Sequence, residues 1–197
     1  MSCAVTKAEL RKTALAARDR FPVERRIEAS LAIAEIGSAD IEVSSGEIVS
    51  GFWPIRSEVD IRPLLFRLRE KGARLCLPVV LDRQTIVFRE LVRGARMVET
   101  GFGTAGPGEE AAILDPDLML VPLAAFDRRG NRVGYGAGHY DRAIASLREK
   151  GKMPRLIGIA LDVQEVSAIP FEIHDVPLPA ILTESGMHVI ENDGATA

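Results

Sequence analysis

The stretch from Asp127 to Arg142, DRRGNRVGYGAGHYDR, places three alternate glycines among four arginines and two carboxylates. Gly134, Gly136 and Gly138 lack a Cβ, so the backbone can take left-handed angles and turn several N–H groups toward one anion. Arg128, Arg129, Arg132 and Arg142 carry forked donors suited to phosphate oxygens. The run Asp117–Val121 ahead of the loop reads as a buried strand, and Asp141–Lys150 behind it as a helix stopped by Gly151. Open α/β sheets place ligands at such a strand end, where a helix N-terminus adds partial positive charge. The chemistry expected is phosphate binding; a plain strand-to-helix turn is the competing reading, since glycine punctuates many loops. A dinucleotide fingerprint is excluded because His139 stands where its third glycine belongs, and a Walker loop because no Gly-Lys-Ser/Thr occurs.

Other residues could serve the same site. Asp141 and Asp175 are the metal candidates, because Mg²⁺ at a nucleotide takes one or two carboxylates plus phosphate oxygens and water; either could instead cap a helix or turn. Lys7 and Arg11 are four apart on one helical face, forming either an anion contact or a solvated basic stripe. Trp53 ends a strand, five residues before Glu58, so its ring could stack on a flat heterocycle whose N–H groups meet the carboxylate. A core tryptophan beside a surface glutamate fits equally. His139, His174 and His188 lack zinc spacing. Cys3 and Cys76 form no Cys-x-x-Cys pair, and no Gly-x-Ser-x-Gly elbow exists.

These residues need a scaffold, and 197 residues suffice for a single domain spanning 1–197 that buries roughly 70% of its unfolded surface. The net charge of -3 is spread in both signs, which excludes a nucleic-acid footprint, and no apolar run is long enough for a bilayer, so a cytoplasmic protein with small-molecule ligands is expected. Thr6-Lys-Ala-Glu9 is a capping box opening a helix to Arg20. A second helix runs from near Pro22 to Ile36 with Ile27, Leu31 and Ala34 as its buried stripe, followed by a loop or short extra turn over Gly37–Gly46. Glu47–Trp53, Ile61–Lys71 and Arg74–Leu77 make a βαβ unit. Thr85–Phe88, Leu156–Ala160 and Met187–Ile190 read as further strands. The glycine-rich segment Gly101–Gly108 reads as a connection without regular structure, serving as a lid or an ordinary loop. Strands separated by helices predict an α/β fold with a parallel or mixed sheet covered on both faces.

Ordered motifs covering most of the chain resemble the 5-formyltetrahydrofolate cyclo-ligase family. They are Lys7-x-x-Leu10-Arg11, Trp53-Pro-Ile-Arg-Ser-Glu58-Val-Asp60, and the signature from Val121-Pro through Phe126-Asp127, Gly130-Asn-Arg132-Val-Gly134-Tyr-Gly136-x-Gly138 to His139-Tyr140-Asp141-Arg142. Ile157-Gly-Ile-Ala160, Gln164, Ile169-Pro170 and His174-Asp175-Val-Pro follow. The resemblance implies a three-layer α/β/α sandwich of the NagB/RpiA/CoA-transferase-like type. It also implies Mg²⁺- and ATP-dependent cyclisation of 5-formyltetrahydrofolate to 5,10-methenyltetrahydrofolate, with ADP and phosphate released, by a monomer or weak homodimer. By motif, Lys7 and Arg11 look like phosphate contacts, and Arg132, Gly134, Tyr135, Gly136, Ala137, Gly138, His139 and Tyr140 like the nucleotide loop. Arg132 and Tyr140 would act at the reacting groups, Asp141 and Asp175 would hold Mg²⁺, and Trp53 and Glu58 would hold the pterin.

The chain departs from the family pattern at Ala137, where relatives carry Lys or Gly, and at His139, where they carry Tyr. Two alternatives follow: a non-catalytic folate-binding paralogue, and an ATP-dependent kinase or transferase acting on another small acid.

Overall fold

The computed structural model describes residues 5–82, 84–100, 103–172 and 175–190. Cys3, Gly101, His174 and the end of the chain from Glu191 lie outside them. Chain order is α1 (Lys7–Arg20), α2 (Val23–Asp40), β1 (Ile48–Ser50), α3 (Arg62–Glu70), β2 (Arg74–Val80), β3 (Ile86–Glu90), β4 (Met97–Glu99), β5 (Ala105–Pro107) and β6 (Ile113–Leu114). Then come β7 (Leu118–Pro122), β8 (Ala125–Phe126), β9 (Arg132–Val133), α4 (His139–Glu149), β10 (Arg155–Ile159), a 3₁₀ turn (Asp162–Gln164), β11 (Ala180–Thr183) and β12 (Gly186–Val189).

Eight strands form one sheet in the order β12-β11-β10-β7-β1-β2-β3-β6. The five from β11 to β2 run parallel, and β12, β3 and β6 add antiparallel edges. Strand alternation divides the core into two layers. Leu118 and Leu120 of β7 join α2 and α3 on one face, while Met119 and Val121 join Ala143, Ile144 and Leu147 of α4 on the other. The sheet is thus covered on both faces as the strand and helix pattern required. The βαβ unit is β1–α3–β2, its strands parallel with Val49 opposite Leu75. Among the described residues, no helix is long and apolar enough to cross a membrane.

Three expectations about α2 and the glycine-rich segment are corrected. Helix α2 continues through Gly37 to Asp40, where a loop or short extra turn was expected; a Cβ at Gly37 would meet Leu182 Cδ2 at 2.8 Å, so glycine here permits close helix–strand contact. The buried stripe of α2 is Ala29, Ser30, Ile33, Ala34 and Gly37, whereas Ile27 and Leu31 are exposed. Small residues let this helix lie close to its neighbours, and weighting the bulkier apolar side chains pointed to the wrong face. The glycine-rich segment contains strand β5, which pairs antiparallel with β4: Gly106 is opposite Val98 and sits so near β2 that a Cβ would meet Val79 Cγ2 at 2.8 Å. Strand β11, between Pro179 and Gly186, is a further strand beyond those expected.

Strand β1 ends at Ser50, so Trp53 lies beyond it, in the loop leading to α3. Between β1 and its parallel neighbour β7 the strand order reverses direction, with β2 on one side and β10 and β11 on the other. Ligand crevices of open sheets form outside the strand ends at such a reversal.

Candidate active site

A cavity of about 390 Å³ opens there, between the residues following β1 (Phe52, Trp53), the end of β7 (Val121, Pro122) and the glycine loop. Its lining includes Trp53 and Glu58 together with Arg132, Gly134, Tyr135 and residues 137–141. One compartment therefore holds both groups of sequence candidates.

The loop from β9 to α4 is shaped by glycine where expected. Gly136 has φ 100 and Gly138 φ 66, left-handed values that favour residues without a Cβ. Gly138 is the N-cap of α4 and offers no side chain to cap it, and the first turn, which includes cavity-lining His139, Tyr140 and Asp141, brings the positive end of the helix dipole to the space. Arg142 braces the loop by donating to Gln84 O at 2.8 Å and Ala137 O at 2.6 Å.

The arginine cluster divides. Arg132 is buried against the cavity, donates to Asp141 Oδ1 at 2.5 Å, and also donates to the Val176 carbonyl. Burial lowers its pKa, opposed by Asp141 and Asp175, yet a guanidinium stays charged at any working pH. Arg128 and Arg129 are exposed and turned to Glu165 (2.7 Å) and Asp127 (3.9 Å), so the expected fourfold cluster is corrected to one cavity arginine and one brace. Asp127, fully buried, accepts from Arg129 N, Asn131 N, Asn131 Nδ2 and Ile169 N, and thereby pins the β8–β9 hairpin as scaffold.

Helix α1 lays three cations along one face. The capping box through Thr6 and Glu9 is formed at both ends and fixes where the helix starts. Lys7 Nζ contacts both oxygens of Asp175, at 2.8 and 2.6 Å, and lies 3.3 Å from Glu172. Arg11 Nε donates to Gly134 O at 2.7 Å and its guanidinium lies over Gly136. Arg18, at seven residues from Arg11 and on the same face, is buried and reaches the cavity-lining Tyr135 and Glu58. It donates to Ser57 Oγ at 3.1 Å and to the Tyr135 hydroxyl, and stands 4.0 Å from Glu58 Oε1.

Glu58 is 8% exposed. Burial raises its pKa; the opposing donors are Tyr135 OH at 2.5 Å and Ile55 N at 2.9 Å, with Arg18 and Arg56 nearby. Each oxygen thus has one protein partner and keeps acceptor capacity for a ligand. Trp53 is partly buried, with the Arg62 guanidinium 5.1 Å from its ring centroid and Arg62 itself tied to Asp60 at 2.6 Å. The Tyr140 hydroxyl is buried with no hydrogen-bond partner among the described residues, and burial pushes its pKa up, so it remains a proton donor in search of an acceptor. Cys76 is fully buried with its thiol pKa pushed far up, which removes it as a nucleophile.

Sequence reading missed Arg18, Ser57 and Asp19, which is linked to Arg18 through Ser57. Projecting Lys7 and Arg11 about two turns further along their own face finds Arg18. It also assigned Tyr135 to the nucleotide loop, whereas the tyrosine's hydroxyl is turned to Glu58.

Comparison with known proteins agrees with this geometry. The family model described as the 5-formyltetrahydrofolate cyclo-ligase family matches residues 4–184. The chain is 34% identical over 147 residues to the 5-formyltetrahydrofolate cyclo-ligase of Mycolicibacterium smegmatis, covering 71% of this chain and 74% of that one. It is 32% identical over 143 residues to the cyclo-ligase of Escherichia coli K12, covering 70% and 78%. The structure matches Aquifex aeolicus 5,10-methenyltetrahydrofolate synthetase with TM-score 0.78 at 29% identity, covering 97% of this chain and 95% of that one. The chain belongs to the 5-formyltetrahydrofolate cyclo-ligase family, a family of ligases.

Proposed function

We propose that this protein catalyses the ATP- and Mg²⁺-dependent cyclisation of 5-formyltetrahydrofolate to 5,10-methenyltetrahydrofolate. The observation that carries the reading is one cavity lined both by an aromatic ring and a buried carboxylate, Trp53 and Glu58, and by Arg132 and the first turn of α4. A pterin and a triphosphate need those two kinds of lining, and the reaction needs them to share one space.

The chemistry requires no covalent nucleophile from the protein. The formyl oxygen attacks the γ-phosphorus of ATP and ADP leaves, giving an N5-iminium phosphate; N10 then attacks the same carbon and loses its proton. Phosphate departs with the former formyl oxygen. Catalysis is positioning plus charge stabilisation. Trp53 and Glu58 orient the pterin, Glu58 accepting its N–H donors. Arg132 and the first turn of α4 meet the transferring phosphoryl group, assisted by Lys7 and Arg11. The unpartnered Tyr140 hydroxyl supplies a donor inside the cavity, suited to an oxygen that becomes negatively charged.

Mg²⁺ fits the residues present as an ion shared with phosphate. Among the described residues no group of three or more His, Cys, Asp or Glu is placed to hold a metal, whereas Asp141 and Asp175 offer single carboxylates beside Arg132. One or two carboxylates completed by phosphate oxygens and water is the habit of nucleotide-bound Mg²⁺, which would neutralise phosphate charge. Arg132 pairs with Asp141 and Lys7 with Asp175.

The test is near-ultraviolet absorbance of methenyltetrahydrofolate from purified protein, Mg²⁺, ATP and 5-formyltetrahydrofolate. A rise that requires ATP supports the proposal. Folded protein that binds folate without the rise would be a binding paralogue; protein that binds no folate would point to a kinase or transferase of another acid.

A further inference from the structure

A second cavity, of about 740 Å³, adjoins the first beneath the β4–β5 hairpin, and Trp53, Ile55, Arg56 and Thr104 line both. Arg56 is the single cation among its described lining residues; Glu99 is the single anion and is exposed.

Arg56 is also the one described residue other than glycine with positive φ, at 54. Such backbone persists where surrounding contacts over-determine it, and it gathers at ligand clamps. Here the contacts are identifiable. Glu58 N donates to Ile55 O at 3.0 Å and Ile55 N donates to Glu58 Oε2 at 2.9 Å, closing the turn on both sides, while Ser57 is held by Arg18. The turn that aims Glu58 into the first cavity therefore carries the exposed Arg56 at the boundary with the second. No ion pair is formed by Arg56 among the described residues.

A folate is longer than its pterin, and the first cavity must also receive phosphates. We propose that the second cavity receives the aminobenzoyl-glutamate portion of the substrate and that Arg56 binds a carboxylate of the glutamate. This rests on the cyclo-ligase reading and extends it to the substrate's anionic tail. A guanidinium on a strained, pinned turn loses less freedom on pairing than one on a loose loop, which suits a selective contact at an exposed position.

The experiment measures KM for 5-formyltetrahydrofolate and for its neutral-tail α,γ-dimethyl ester, which keeps N5, the formyl group and N10, with wild type, Arg56→Gln and Arg56→Lys. Wild type should favour the acid over the ester by about three- to tenfold, the range between an exposed ion pair and a charge-assisted hydrogen bond. Arg56→Gln should raise KM for the acid by that factor and leave KM for the ester and for ATP in place, and Arg56→Lys should recover part of the preference. An equal rise for acid and ester would show a backbone effect of the turn and overturn the anchor. Acid-to-ester ratios that match in wild type and Arg56→Gln, with turnover intact, would overturn the anchor while leaving the cyclo-ligase reading standing. No turnover by wild type would overturn both.

Discussion

Replacing Glu58 by Gln tests the placement of the pterin in the cavity. The change keeps shape and volume but removes the charge and turns one acceptor into a donor. Glu58 already receives Tyr135 OH at 2.5 Å and Ile55 N at 2.9 Å, so its remaining acceptor sites are those left for a ligand. Losing one charge-assisted hydrogen bond costs about 1.5–3 kcal/mol, which at about 1.4 kcal/mol per decade corresponds to about a 10- to 150-fold loss of folate affinity. Calorimetry with 5-formyltetrahydrofolate reads this loss directly, and KM for ATP serves as the internal control. The pH dependence has a definite sign. Burial raises the pKa of Glu58 in the free protein, so the carboxylate gains a proton at higher pH than an ordinary glutamate. Folate affinity in wild type should fall as pH drops through that raised value, and this limb should be absent from Glu58→Gln. A folate affinity within threefold of wild type, or an equal weakening of ATP, would refute the placement of the pterin on Glu58.

Asp141→Asn should lower kcat by about 100-fold or more while raising the Mg²⁺ concentration needed for half-maximal rate, since the carboxylate both faces the phosphate loop and neutralises buried Arg132; an unchanged Mg²⁺ titration would count against its role. Trp53→Ala should weaken folate binding by about tenfold or more through lost stacking, with KM for ATP little altered, and equal effects on both ligands would argue that the ring merely supports the fold. Gly37→Ala should lower Tm, because the new Cβ would lie 2.8 Å from Leu182 Cδ2 and 3.0 Å from Leu64 Cδ1. Overpacking of about 1–3 kcal/mol corresponds to about 2–12 °C in a domain of this size, and thermal unfolding with an unchanged midpoint would show that α2 can move aside.

The parts of the molecule legible in the sequence are those governed by short-range rules. Thr6 and Glu9 announced the start of α1, Gly72 and Gly151 the ends of α3 and α4, and alternate glycines the left-handed loop at Gly136 and Gly138. What escaped depends on partners far along the chain. Gly37 is helical because Leu64 and Leu182 press on it, and Gly106 is in a strand because Val79 does. The exposed Ile27 and Leu31 look like core until the small residues on the adjacent face are found against the sheet. At the site, Trp53, Glu58, Arg132 and the α4 N-terminus meet in one cavity, as their residue types suggested. Arg18 did not stand out, since one arginine among many in a helix acquires meaning only when Ser57, Tyr135 and Glu58 surround it. Similarly, nothing local separates the arginines of the signature, yet Arg132 is buried against the cavity while Arg128 is exposed beside Glu165.

The most direct test of a shared cavity for phosphoryl transfer and ring closure follows the formyl oxygen. Substrate labelled with oxygen-18 in the formyl group, turned over once with unlabelled ATP and water, should release inorganic phosphate carrying one labelled oxygen for each methenyltetrahydrofolate formed. Label recovered in water, with none in phosphate, would contradict phosphorylation of the formyl oxygen and with it the reason for placing ATP and pterin in one compartment.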